Sequence, residues 1–343
     1  FWRGLFARAA RQRDHHAVLM KPVLITCGDP NGIGPEVILK TLADWSGAFP
    51  VVVGDPDHFD AAAAEIGVEF DPILIADGDI TRKFDRSAML PVKFKNSRQP
   101  GVFDPEHAPH IVDVLDRAIS YALAGDAAAV VTAPINKAVL KEGCDYPFPG
   151  HTELLADRSG IERPVMMLAG PDLRVVPTTI HIPVSEVPSQ LSPSLIADTI
   201  KITHDGLKSL FGIKAPRLVV AGLNPHAGEA GRIGTEEQDY IHQTVKDLAA
   251  TGLDVTGPWP ADTLFHAARR QDYDAAICMY HDQALIPIKA VNFDDAVNVT
   301  LGLPFLRTSP DHGTAFDIAG TEAARPDSFR AALKLATDYA TRQ

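Results

Sequence analysis

Beyond Met20 the sequence alternates short, unbroken apolar runs with loops and longer amphipathic stretches, a pattern that few folds outside the α/β class accommodate. Val23–Thr26, Val51–Val53, Ala127–Thr132, Val175–Ile180, Leu218–Leu223 and Ala275–Met279 are the apolar runs. All read as short strands, and the unbroken apolar run Ala275–Met279 suits one buried on both faces. Between them, residues 109–124 place Ile111, Leu115, Ile119 and Leu123 at steps of four, which predicts an amphipathic helix. Helices are also predicted from Pro35 to about Leu42, over 194–211 and over 235–250. Alternation of this kind predicts largely parallel sheets. At 343 residues the chain exceeds one ordinary domain, so two domains of roughly 150 residues each are expected. No Ser/Gly-rich tether separates them, so they are expected to share strands or helices.

Charge and cysteine content narrow the function classes. A formal net charge of −12 argues against nucleic-acid binding, which needs a basic face for phosphates. No apolar run approaches the roughly 18 residues of a membrane-spanning helix. Cys27, Cys144 and Cys278 are far apart and form no CxxC pair, as expected of free thiols in a reducing cytoplasm. Residues 1–19 differ from the rest: Arg3, Arg8, Arg11 and Arg13 stand against Asp14 alone. We read this stretch, which also has the composition of a transit peptide, as an extra segment, disordered or non-native, with Met20 opening the folded chain.

Three of the strands run into histidines. Val175–Ile180 ends at His181, Leu218–Leu223 leads through Asn224-Pro225 to His226, and Ala275–Met279 through Tyr280 to His281. In open α/β sheets ligands bind outside the carboxyl ends of strands. Three imidazoles meeting there would suit a divalent metal, Zn²⁺ or Co²⁺ more than Mg²⁺ by ligand softness. Taken singly, each histidine reads better as an ordinary core or surface residue; it is their shared placement that makes a joint site an equal reading.

Other stretches point to an anionic ligand. Pro149-Gly150-His151-Thr152-Glu153 reads as a helix start capped by Thr152, which offers N–H groups to phosphate. Lys289, Asn298 and Arg307 punctuate an otherwise apolar stretch and need partners. A bound carboxylate or phosphate would serve; so would internal ion pairs to Asp294 or Asp311. The loop Gly28-Asp29-Pro30-Asn31-Gly32-Ile33-Gly34-Pro35-Glu36 is tight and follows a strand, but it lacks the GxGxxG spacing, and Pro35 suits a first helical turn.

Together these residues resemble the 4-hydroxythreonine-4-phosphate dehydrogenase family of pyridoxal phosphate biosynthesis. The resemblance rests on GDPNGIGPE (28–36), VTAPINK (131–137), PGHTELLA (149–156), TTIH (178–181), LNPHAGEAGRIG (223–234), ADTLF (261–265), YHDQALIPIK (280–289) and NVTLGLPFLRTSPDHGTAFDIAG (298–320). It spans nearly everything after Met20. It implies an isocitrate/isopropylmalate dehydrogenase-like fold, two α/β domains with a cleft between them, distinct from the Rossmann dinucleotide fold, and a homodimer with its sites near the interface. One domain would comprise 20–140 plus 300–343 and carry the NAD loops. The other, 141–299, would carry metal and substrate residues and dimer contacts.

By the same resemblance His181, His226 and His281 are metal ligands, and His151, Thr152, Lys289, Asn298 and Arg307 contact a small phosphorylated hydroxy-amino acid. Gly32, Gly34, His312, Gly313, Thr314 and Asp317 would hold NAD, with Asp317 on the ribose hydroxyls and so favouring NAD over NADP. Asp262 and Lys289 are candidates for the proton acceptor; a surface aspartate is the plainer reading of Asp262. The implied reaction is NAD-dependent oxidation of a secondary alcohol, followed by decarboxylation to 3-amino-2-oxopropyl phosphate. Relatives acting on 4-phospho-D-threonate or 4-phospho-D-erythronate share the metal histidines and NAD loop. A zinc hydrolase or a non-catalytic two-domain binding protein would also use parts of this pattern, but the former leaves the HGTAFDIAG stretch (312–320) unexplained.

Overall fold

A computed structural model describes residues 21–48, 50–81 and 84–343. The extra segment read at 1–19 lies outside them. Twelve strands form one sheet: β1 Val23–Thr26, β2 Val51–Gly54, β3 Ile73–Leu74, β4 Ala88–Pro91, β5 Ala129–Thr132, β6 Val165–Ala169, β7 Arg174–Pro177, β8 Arg217–Ala221, β9 Asp254–Trp259, β10 Ala275–Cys278, β11 Val297–Leu301 and β12 Leu306–Pro310. Their spatial order is β3-β4-β2-β1-β5-β12-β11-β6-β7-β10-β8-β9.

Two parallel wings, β3 to β12 and β7 to β9, meet at an antiparallel seam. β11 runs antiparallel to both β12 and β6, and β6 runs antiparallel to β7. The expectation of largely parallel strands therefore holds in the wings and fails in the middle. A parallel neighbour needs a long crossover, whereas β11 and β12 are joined by only four residues, which forces the hairpin direction.

The unbroken apolar runs are explained by burial on both faces. In β7, β10 and β8, alternate residues enter two different apolar clusters. Val176, Leu218, Val220, Ala275 and Ile277 join the larger cluster, while Val175, Val219, Ala221, Ala276 and Cys278 join a smaller one. Successive side chains point to opposite faces, so with both faces covered no position is left polar.

Predicted elements survive with shifted ends. The helix over 109–124 is Ala108–Ala124, with Pro at its start and Gly125 in the left-handed conformation closing it. That over 194–211 is Pro193–Ser209, its Leu195 N–H donating to the Ser192 hydroxyl at 3.1 Å. The stretch 235–250 is divided into a π-turn, Glu237–Ile241, and a helix, His242–Ala250. One local reading is corrected. Gly150, without a side chain, precedes the helix His151–Ser159, so Thr152 lies within its first turn and caps nothing.

Candidate active site

The register of the seam builds the floor of a cleft. Thr300 of β11 stands opposite Arg307 of β12, Asn298 opposite Ser309, and Met166 of β6 opposite Thr300. Period-two alternation then turns Asn298, Thr300, Arg307, Ser309 and Met166 to the same face. A cavity of about 480 Å³ opens over that face, lined by Met166, Asn298, Arg307 and Ser309 together with His151, Thr152, His181, His281, His312 and Gly313. Thus four of the five expected substrate contacts, two of the three expected metal ligands and two of the expected cofactor contacts share one cleft.

Arg307 dominates its electrostatics. The side chain is only 3% exposed, yet its hydrogen bonds go to threonine hydroxyls: Nε and Nη2 to Thr132 at 3.2 and 2.7 Å, and Nη1 to Thr300 at 3.1 Å. Among the described residues it has no ion pair. Burial pushes its pKa down to about 10, against the opposing pull of Glu153. A cation this deep without a bonded counter-charge is costly unless a ligand supplies one. The internal ion pair considered for Arg307 is therefore not made. Lys289, by contrast, does pair with Asp311, at 2.8 Å. Asp311 lines the cleft and Lys289 stands behind it.

Other polar atoms in the cleft wait for partners. Nε2 of His151, Oδ1 of Asn298 and Nε2 of His312 are buried without a hydrogen bond. Burial, with Arg307 and Lys137 nearby, holds the His151 pKa well below its ordinary value, so the ring is neutral. Gly313 faces open space: a β-carbon there would have no atom within 4 Å.

The histidine prediction is met in one respect and not in another. β7, β10 and β8 are adjacent and parallel, so His181, His281 and His226 follow three neighbouring strand ends. His181 and His281 come together, with ring centroids 5.8 Å apart. His226 does not line the cleft, and among the described residues no three metal-ligating side chains gather within one chain. His181 and His226 both hold left-handed backbone, φ 38° and 53°, as do Ala227, Glu229 and Ala230. Such conformations cost of order 1–3 kcal/mol each and concentrate at functional sites. Asp262 is exposed, on the short helix Ala261–Leu264, which packs against the Pro225–Gly231 segment bearing His226.

The donor set fits a divalent metal. Nδ1 of His281 lies 2.7 Å from Asp282, the carboxylate contact that typically orients a metal-ligating imidazole and leaves its other nitrogen free. The residues also fit a dinucleotide at the cleft mouth, where open Gly313 adjoins the unpartnered His312 Nε2.

A family model described as "Pyridoxal phosphate biosynthetic protein PdxA" matches residues 47–336. The chain belongs to the PdxA family. A relative from Roseobacter denitrificans named 4-hydroxythreonine-4-phosphate dehydrogenase is 52% identical over 326 residues, covering 94% of this chain and 98% of the relative. Another of that name, from Paracoccus denitrificans, is 48% identical over 329 residues, covering 94% and 99%. The crystal structure of a 4-hydroxythreonine-4-phosphate dehydrogenase from Klebsiella pneumoniae superposes with a TM-score of 0.85 at 37% identity, covering 93% of this chain and 99% of that one.

The remaining residues singled out from the PdxA motifs lie just outside the cleft. The loop 28–36 is clamped to the loop 312–320: Ile33 N–H donates to Thr314 O at 2.9 Å and Gly320 N–H to Glu36 Oε1 at 2.7 Å. A β-carbon on Gly32 would meet Thr314 O at 2.8 Å, and one on Gly34 would meet Cys27 O at 2.7 Å. These two glycines allow the loops to interlock. Asp317 is exposed further along the same loop. Lys137 and Glu153 line the cleft and were not singled out from the sequence; both lie inside the quoted motifs VTAPINK and PGHTELLA, which was the available signal.

Proposed function

We propose that this chain catalyses the NAD-dependent oxidation of 4-phosphohydroxy-L-threonine, with decarboxylation to 3-amino-2-oxopropyl phosphate, as a 4-hydroxythreonine-4-phosphate dehydrogenase. The observation that carries this reading is the buried Arg307, bonded only to threonines, in the cleft that also holds His181 and His281. The names of the relatives supply the substrate.

Arg307 and Lys137 supply positive charge for the substrate's anionic groups, and neutral His151 offers a hydrogen bond without adding repulsion. Thr152, at the start of the helix His151–Ser159, adds a hydroxyl and first-turn N–H groups suited to phosphate. Asn298 Oδ1 is an acceptor for an amine or hydroxyl proton. These fixed groups hold the reacting carbon in one orientation, which removes much of the entropic barrier. A metal held by His181, His281 and His226 would polarise the substrate hydroxyl and the ketone that replaces it, and NAD⁺ would take the hydride. His226 and Asp262 share a surface away from the cleft of their own chain, so in our reading a second copy delivers them and the enzyme is a homodimer. Lys289, tethered through Asp311, and Asp262 are the two candidates to take the hydroxyl proton.

The test is NADH formation with 4-phosphohydroxy-L-threonine and, separately, 4-phospho-D-threonate, each with metal, after chelation and with His226→Ala. Metal-dependent turnover of the amino substrate, lost in the variant, is expected. Turnover of the threonate alone would move the protein to a hydroxy-acid substrate, and NADH from neither would overturn the dehydrogenase reading.

A further inference from the structure

The strands whose carboxyl ends lead to the histidines have a second feature at their other ends. Arg174 is the first residue of β7, Arg217 the first of β8, and Asp274 directly precedes β10. Here a separate cavity of about 470 Å³ is lined by three arginines, Arg174, Arg217 and Arg270, and two aspartates, Asp172 and Asp274. By strand length it lies roughly 15 Å from the histidine ends.

Its charges do not cancel pairwise. Arg217 takes Asp274: Nη2 to Oδ1 at 3.1 Å, Nε to Oδ2 at 3.3 Å, with the Arg217 backbone N–H donating to Oδ2 at 2.8 Å. Arg174 is left with one hydrogen bond, Nη1 to the Asp274 carbonyl at 3.2 Å, and packs over the Phe211 ring at 5.1 Å. Arg270 forms no ion pair among the described residues. The Nε atoms of both Arg174 and Arg270 are buried without a partner. Burial lowers the Arg174 pKa against the opposing pull of Asp274. Asp172, the only other acid on the wall, is exposed and accepts from Asn292 Nδ2 at 3.3 Å.

Two arginines on one cavity wall, each with an unpartnered Nε–H and no bonded carboxylate, can recognise an oxyanion through forked hydrogen bonds. We propose that this cavity is a second anion site, separate from the catalytic cleft, that binds a phosphate group, either free or carried by a small metabolite, between Arg174 and Arg270. The room around the two guanidinium groups exceeds that of one phosphate, so a small phosphate monoester fits the site as well as the free ion does.

The test counts anion sites on the intact protein. Calorimetric titration with inorganic phosphate should give two sites per chain, one in the cleft and one here. Arg270→Ala should lose one of them or weaken it tenfold or more, while keeping wild-type NADH turnover. Ala267→Glu, which places a carboxylate on the cavity wall, should do the same without removing an arginine. Repeating the titration with glycerol 3-phosphate separates the two forms: tighter binding than phosphate, lost in Arg270→Ala, identifies a monoester site. Thermal unfolding of each variant without anion, unchanged from wild type, establishes that the fold is intact. Wild-type stoichiometry and affinities in both variants would overturn the proposal, as would a single phosphate site per chain in the wild type that survives Arg270→Ala.

Discussion

Arg98 and Arg307 are both buried arginines, yet their surroundings are opposite. Arg98 is saturated: Nη2 reaches Glu36 at 2.7 Å, Nε reaches Glu65 at 3.0 Å, and Nη1 donates to the carbonyls of Gly32, at 3.0 Å, and Pro30. It ties the loop 28–36 to the body of the protein and leaves no donor for a ligand. Arg307 has hydroxyls alone for partners and opens on the cleft. Depth of burial is therefore a poor guide to what an arginine does; the identity of its acceptors separates a cation saturated by carboxylates and carbonyls from one bonded to hydroxyls.

The largest effect expected from this contrast is on folding. Arg98→Ala strands Glu36, itself fully buried, and should cost about 3–5 kcal/mol in denaturant unfolding. Arg307→Met should behave in the reverse sense. Removing an uncompensated cation leaves stability within about 1 kcal/mol of wild type or above it. Steady-state kinetics should meanwhile show kcat/KM down by about 3 kcal/mol, roughly a hundredfold. Equal stability losses in the two variants would dissolve the comparison.

Asp29 sharpens it on the anionic side. Burial raises its pKa to about 6, although one oxygen accepts from Asn31 N–H at 3.0 Å. The folded form holds its proton above the unfolded value, so Asp29 contributes its full stability below about pH 4. That contribution falls as pH rises through 6. Asp29→Asn lacks this titration. The stability difference between variant and wild type should therefore grow over that window, to about 3 kcal/mol at neutral pH. A difference that is flat with pH would show that Asp29 is not strained. The smallest effect is reserved for Thr152. Because it caps no helix, Thr152→Ala should shift stability by no more than about 0.5 kcal/mol, while substrate affinity falls.

What could be read from the sequence follows from how local each signal is. Strands buried on both faces announce themselves as unbroken apolar runs, and helix ends as Pro and Gly, so β1, β7, β8, β10 and the long helices were legible. The antiparallel seam was not: its central pairing, β6 with β11, joins segments more than a hundred residues apart in sequence. His181 and His281 could be named from their positions after strands, but the absence of His226 from their cleft is a matter of three-dimensional reach. Lys289 shows the same limit. Its sequence allowed either a ligand or an internal acid, and only the fold shows the pair with Asp311 at 2.8 Å.

The place of the β11–β12 hairpin in the sheet has a consequence for how the protein is made. β1 to β5 lie within residues 23–132 and β6 to β10 within 165–278, yet the two sets do not touch as neighbours until residues 297–310 insert between β5 and β6. On the ribosome β1 to β5 and β6 to β10 emerge unjoined, each set with an exposed edge strand open to wrong partners. The same hairpin brings Asn298 and Arg307. The stroke that seals the sheet therefore also delivers the floor of the cleft, and a nascent chain has no such floor before that moment.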